Sequence, residues 1–138
     1  MAILCGTDFS GDAKRAAHAA VGLAEPDEDV LLVHAMELPT VAFIAGEGMI
    51  MPPAVPPPNL ESLKKELDDR LVEEASALGP RVRPILTIGA PAESLLDEVR
   101  RYAARLLVVG SHGTSGPARW LLGSTADRLA RSSPVPLL

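Results

Sequence analysis

Short apolar runs alternate with helical patterns along this chain. That alternation restricts it to a sheet whose strands are joined by helical crossovers. The run "AILC" (residues 2–5), stopped by Gly6-Thr7-Asp8, reads as a buried strand. Ser10 follows as an N-cap, with Ala13, Ala16, Ala17, Ala20, Val21 and Ala24 behind it at helical spacing and Pro26 as the stop. This narrow small-residue face suits close packing on a sheet. "DVLLVHAM" (29–36) is apolar on both faces, as a covered parallel strand requires. A second helix follows Asn59, with a stripe of Leu60, Leu63, Leu67, Leu71, Ala75 and Leu78, and Gly79-Pro80 ends it. "RVRPILTIG" (81–89) is a third strand, which Pro84 places near an edge. Pro91 opens a third helix with Ala92, Leu95, Leu96, Val99 and Ala103 on its apolar side. "RLLVVG" (105–110) is the fourth strand, Ser124-x-x-Asp127 resembles a capping box at the start of the last helix, and "VPLL" (135–138) is a short fifth strand.

The expected architecture is one α/β domain over residues 1–138, a three-layer, five-stranded parallel sheet with helices on both faces. Residues 39–58 interrupt it. Six of the 13 prolines fall there, at Pro39, Pro52, Pro53, Pro56, Pro57 and Pro58, so no regular element is expected. The segment is a surface loop, either packed against a partner or simply solvated.

Composition excludes several roles. The formal net charge is -5, with Lys and Arg scattered, which argues against sequence-independent nucleic-acid binding. Aromatic residues are 3% of the chain, so aliphatic side chains must fill the core. The single cysteine, Cys5, permits no internal disulfide and reads as a buried, inert thiol. No run is long and apolar enough for a membrane span, and the start does not resemble a secretory signal, so a cytoplasmic protein is expected.

Parallel sheets of this kind bind ligands beyond the carboxyl ends of their strands, where strand order reverses. Two loops lie on that rim, "GTDFSG" after the first strand and "GSHGTSG" after the fourth. If those two strands are neighbours, the loops flank one crevice. The second loop suits a phosphate: glycine lets backbone N–H groups come close, and a helix N-terminus adds unpaired donors and a favourable dipole. Gly110 and Gly113 follow the strand, and Gly123, Ser124 and Thr125 open the helix. A plain strand–loop–helix connection with turn glycines is the competing reading. Neither G-x-G-x-x-G after the first strand nor G-x-x-x-x-G-K-[ST] anywhere is present, so this is neither a dinucleotide fingerprint nor a P-loop.

Gly110-x-x-Gly113, nine residues, then Gly123-Ser124 is similar to the G-x2-G-x9-G-[ST] motif of the universal stress protein family. "ILCGTDFS" and "LLVHAME" resemble the first two strands of that family, and the likeness covers nearly the whole chain apart from the proline-rich insert. The resemblance implies a Rossmann-like fold of the adenine nucleotide alpha hydrolase type, usually a homodimer paired through the last strand. It also implies a bound ATP, ADP or AMP, with Mg or Mn accompanying the nucleotide. Carried over by position, Gly6, Thr7 and Asp8 line the nucleotide, with Asp8 near the ribose and the metal. Ala35 meets adenine through its backbone, Val109, Gly110, His112 and Gly113 contact ribose and phosphates, and Gly123, Ser124 and Thr125 hold the phosphate tail. Gly6 departs from the family, which often carries a larger residue or proline there.

His112 is read either as a phosphate donor or as an exposed loop histidine, His34 as a satisfied core histidine, and His18 as a surface residue. Trp120 and Leu121 either pack under the loop or meet a partner. A Ser111–His112–Asp8 triad is not supported: no G-x-S-x-G elbow is present, and neighbours in sequence do not readily point at each other. No motif lysine stands at the phosphates, Arg119 being the nearest basic residue in the loop, so ATP is expected to be held with slow or no hydrolysis. Three functions follow as alternatives. They are a nucleotide-binding regulatory protein in a stress response, a slow ATPase or self-phosphorylating switch with Ser124 or Thr125 as acceptor, and a dimeric interaction module independent of nucleotide.

Overall fold

The computed structural model describes residues 1–38, 43–45, 49–51, 59–112 and 123–138. The elements run β1 (Ala2–Gly6), α1 (Gly11–Leu23), β2 (Asp29–Met36), β3 (Phe43–Ala45), β4 (Met49–Met51), α2 (Leu60–Leu78), β5 (Val82–Ile88), α3 (Pro91–Arg101), β6 (Leu106–Val108) and α4 (Ser124–Ser132). The main sheet has the order β5-β2-β1-β6, all neighbours parallel. The chain therefore winds outward from β1 through β2 to β5, then returns to place β6 on the other side of β1. The reversal of strand order lies between β1 and β6.

Alternate residues of the central strands feed two separate cores. Ile3, Cys5, Val30 and Leu32 face Ala16, Ala17 and Ala20 of α1 and Leu71 and Ala75 of α2. Ala2, Leu4, Leu31 and Val33 face Ala92, Leu95, Leu96 and Val99 of α3 and Leu129 of α4. Strands buried on both faces must be apolar at every position, which is why "AILC" and "VLLV" carry no alternation. Each fully buried Leu, Ile or Val contributes about 1.5–3 kcal/mol relative to exposure.

The helices start and stop as local chemistry dictates, with two corrections to the sequence reading. Ser10 does cap α1, its Oγ accepting from Ala13 N at 3.2 Å. Ser124 does not cap α4. Gly123 is the N-cap, its carbonyl accepts from Asp127 N at 2.9 Å, and Asp127 pairs with Arg131, so the expected capping box is not formed. Ala103 lies beyond α3 and is exposed. Its φ is 49°, and Ala104 N donates to Val99 O at 3.0 Å while Ala103 N reaches Arg100 O at 3.3 Å. This is a Schellman turn with alanine where glycine is usual, and Ala104 takes the buried place.

The described sheet also has four strands, not five. Residues 135–138 run beside β6 but form only one bridge, Leu107 to Leu137, with Leu107 N donating to Pro136 O and Leu138 N to Leu107 O. Pro134 and Pro136 have no N–H to give, so a continuous ladder cannot form there. Conversely, 43–45 and 49–51 form a small antiparallel pair within the segment expected to lack regular structure. The prolines cluster at 52–58, and residues 40–51 contain none. Pro84 sits on β5, an edge strand of the described sheet, in register with Leu32.

Candidate functional site

A cleft of about 790 Å³ opens at the carboxyl ends of β1, β2 and β6. Gly6, Thr7, Asp8, Ala35, Val109, Gly110, His112, Gly123, Ser124 and Thr125 all line it, so segments more than 100 residues apart meet at one place. Gly113 lies outside the described residues, as do Arg119, Trp120 and Leu121.

One wall is the β1–α1 loop. Thr7 is buried and fully engaged: its N–H donates to Val33 O at 2.8 Å, its hydroxyl donates to Glu74 Oε1 at 3.0 Å and accepts from Phe9 N at 3.1 Å. Its carbonyl lies 2.7 Å from His34 Nδ1, which must carry the proton because a carbonyl only accepts. Phe9 adopts φ 64°, unusual for a bulky residue, and is clamped between the His34 ring (4.6 Å between centroids) and the Arg70 guanidinium (4.3 Å). Asp8 Oδ1 accepts from Ser10 N at 2.9 Å, which fixes the turn into α1. His34 is satisfied, as expected, but also lines the cleft; His18 is exposed. Cys5 is fully buried, and burial, with the Glu74 carboxylate nearby, pushes its thiol up to about 12.

The opposite wall is the loop after β6. Val109 N donates to Leu138 O at 3.0 Å, and Ser111 O accepts from Gly123 N at 2.8 Å. The latter bond ties the strand end directly to the start of α4. Gly110 is required by packing: a Cβ there would lie 3.0 Å from Ala13 N and Asp12 C, the backbone of the first turn of α1. Gly6 is similarly tight, with Leu95 Cδ1 at 2.8 Å and Val109 Cγ1 at 3.2 Å from its Cβ position, so the residue that departs from the family pattern makes room for α3. Ser111 Oγ does reach His112 Nδ1, at 2.9 Å, against the sequence expectation; adjacent side chains curl together in the bend. The carboxylate at that ring belongs to Asp12, whose Oδ2 is 3.2 Å from the same Nδ1. Serine and carboxylate thus share one ring nitrogen. A nucleophilic triad needs them on opposite nitrogens, so this geometry is not one.

Three helix N-termini converge on the cleft: Ala13 of α1, Pro91 and Ala92 of α3, and Ser124, Thr125 and Ala126 of α4 all line it. The starts of α3 and α4 carry no side-chain cap. Their first N–H groups and dipoles make this end of the sheet favourable for negative charge. Sequence reasoning missed several lining residues besides these, four of which shape the cleft most. Arg128, paired with Glu93, lines the cleft one helical turn after Ser124, a spacing visible in the sequence. Leu63 and Leu67 of α2 and Met36 of β2 add an apolar side, and the half-buried state of the two leucines explains why the α2 stripe is fully buried only at Leu71 and Ala75. Among the described residues, no three His, Cys, Asp or Glu side chains cluster as a metal site. No helix among them is long and apolar enough to cross a membrane.

Comparison with known proteins agrees with this geometry. The universal stress protein family model matches residues 1–138. A universal stress protein of Thermus aquaticus is 34% identical over 143 residues, covering 99% of this chain and 95% of that one. A universal stress protein solved in complex with cAMP superposes with a TM-score of 0.62 at 25% identity, covering 100% of this chain and 94% of the other. The universal stress protein of Archaeoglobus fulgidus in complex with dAMP has the same fold, with a TM-score of 0.66 at 18% identity and coverage of 100% and 95%. Sequence, strand order and cleft therefore lead to one conclusion: the chain belongs to the universal stress protein family.

Proposed function

We propose that the cleft holds an adenine nucleotide and that the protein is a nucleotide-binding regulatory member of its family. The observation that carries this reading is the convergence of three helix N-termini on the crevice between β1 and β6, where the Ser111–Gly123 bond joins the end of β6 to the start of α4. The two ends of the cleft differ. Ala35, Met36, Leu63 and Leu67 form a side suited to a base, while Gly110, Gly123, Ser124 and Thr125 form a side suited to phosphates. The cAMP complex of the structural relative supports the same ligand class. Gly113 belongs to the phosphate side by its place in the motif. Asp8 is the one carboxylate that the resemblance puts beside the nucleotide, and its Oδ1 accepts from Ser10 N. That suits only a Mg or Mn ion arriving on the phosphates, not one held by the protein alone.

The site favours retention over turnover. Among the described lining residues Arg128 is the sole Arg or Lys, and it is paired with Glu93. Rapid phosphoryl transfer needs stronger charge compensation than that. A homodimer along the edge at residues 135–138, where Leu138 is exposed, belongs to the same reading. Calorimetric titration with ATP, ADP, AMP and adenosine tests the proposal. Affinity rising with phosphate number, at one nucleotide per chain, is the expected result. Adenosine binding as tightly as ATP would remove the phosphate side from the account, and no binding by any of the four would overturn it.

A further inference from the structure

Arg128 and Glu93 form an ion pair that joins α4 to α3. Glu93 lies in the first turn of α3, directly after Pro91 and Ala92, which line the cleft. Arg128 lies one turn after Ser124 on the same face of α4, and both of these line the cleft. Glu93 is not a lining residue, so the pair stands at the rim, between two helix starts that carry no side-chain cap. The two side chains are 64% and 47% exposed, and ion pairs that face water are held weakly. Arg128 is also the sole Arg or Lys among the described lining residues. An anion entering the phosphate side therefore meets one guanidinium, already engaged by a carboxylate of the chain.

We propose that Arg128 sets the preference of this cleft for longer phosphate tails by exchanging Glu93 for a phosphate oxygen, with Glu93 as a built-in competitor; the inference rests on the nucleotide reading above. The planar guanidinium fork matches phosphate as well as it matches carboxylate, and a phosphate brings more charge to it. The released Glu93 loses little, because its carboxylate is already half in water and keeps its favourable place at the positive end of α3. Position decides which phosphate is read. Ser124 and Arg128 are neighbours on one helix face, about 5–6 Å apart at Cβ. A phosphate seated at the start of α4 leaves Arg128 to a further phosphate of the same tail. Arg128 is thus a specificity-determining residue that touches the ligand, and Glu93 acts only through it. No bond at phosphorus is made or broken.

The experiment is calorimetric titration of ATP, AMP and adenosine into the whole protein, as wild type, Arg128→Gln, Glu93→Gln and the double variant. Arg128→Gln weakens ATP about tenfold while AMP and adenosine change little, so the ratio of ATP to AMP affinity collapses. Glu93→Gln strengthens ATP about threefold, because the competitor is gone. In the double variant that gain disappears. A gain that persists without Arg128 would mean that Glu93 acts only by its charge, and would overturn the exchange. A pair that merely joins α3 to α4 would move all three ligands together, which also overturns it. An unchanged ratio of ATP to AMP affinity in Arg128→Gln overturns the inference while leaving the nucleotide site standing. Failure of wild type to bind any of the three overturns the site itself. Should Arg128→Gln not fold, Glu93→Gln decides: no gain for ATP over AMP overturns the proposal.

Discussion

Two glycines that look alike in sequence do different work. At Gly110 the atoms crowding a Cβ are Ala13 N, Asp12 C and Asp12 Cβ of α1, which cannot yield without moving the helix. At Gly6 the nearest is the end of the Leu95 side chain, which can rotate. Gly110→Ala therefore lowers stability by about 1–3 kcal/mol through overpacking, and Gly6→Ala by less. Urea midpoints at unchanged slope measure both. The sequence puts Gly110 in the rim loop and it lines the cleft, yet the close approach found there is first of all that of helix α1. The Asp12–His112 contact was not legible at all, because nothing along one chain reveals which two residues 100 positions apart will touch. Cys5 was legible as a small buried apolar residue. Its thiol, raised from 9.0 to about 12, stays protonated, and alkylation should occur only after unfolding, as mass spectrometry of reagent-treated native and denatured protein would record.

Among the elements, helices were the most readable parts because their apolar spacing and punctuation agree. The exceptions are local. The end of α3 depends on a Schellman turn that carries no glycine signal, since alanine occupies the left-handed position at φ 49°. Replacing Ala103 by Gly relieves that conformation and should stabilise the protein by about 0.5–1 kcal/mol, read as a raised thermal midpoint. The reverse holds at the start of α1, where Ser10→Ala removes a formed cap and costs about 1 kcal/mol. The last strand failed for a different reason. "VPLL" has strand-like composition, but its neighbouring Pro134 and internal Pro136 leave too few donors for more than one bridge to β6.

For the molecule as a whole, alternation of strand and helix specified the layers, while the order β5-β2-β1-β6 came only with the fold. That order turns two separate loops into one cleft. Its opposite end is held by Glu28, which is 5% exposed and whose carboxylate accepts from Arg105 Nε and Nη2, both at 2.7 Å, and from Glu25 N at 3.1 Å. The Arg105 guanidinium keeps the Glu28 carboxyl below its usual value of 4.5. Because the folded value is lowered, the stability this pair contributes is complete above 4.5 and is lost as pH falls below it. Glu28→Gln should flatten that acid limb in unfolding curves recorded across the range. The central claim concerns the other end, and amide NMR during titration with ATP tests it most directly. Shifted resonances should cluster at residues 6–8, 109–112 and 123–126, on three segments distant in sequence. Shifts confined to a second groove, lined by Lys14 and His18 of α1 and Arg70 and Glu73 of α2, or no shifts with saturating ATP, would contradict it.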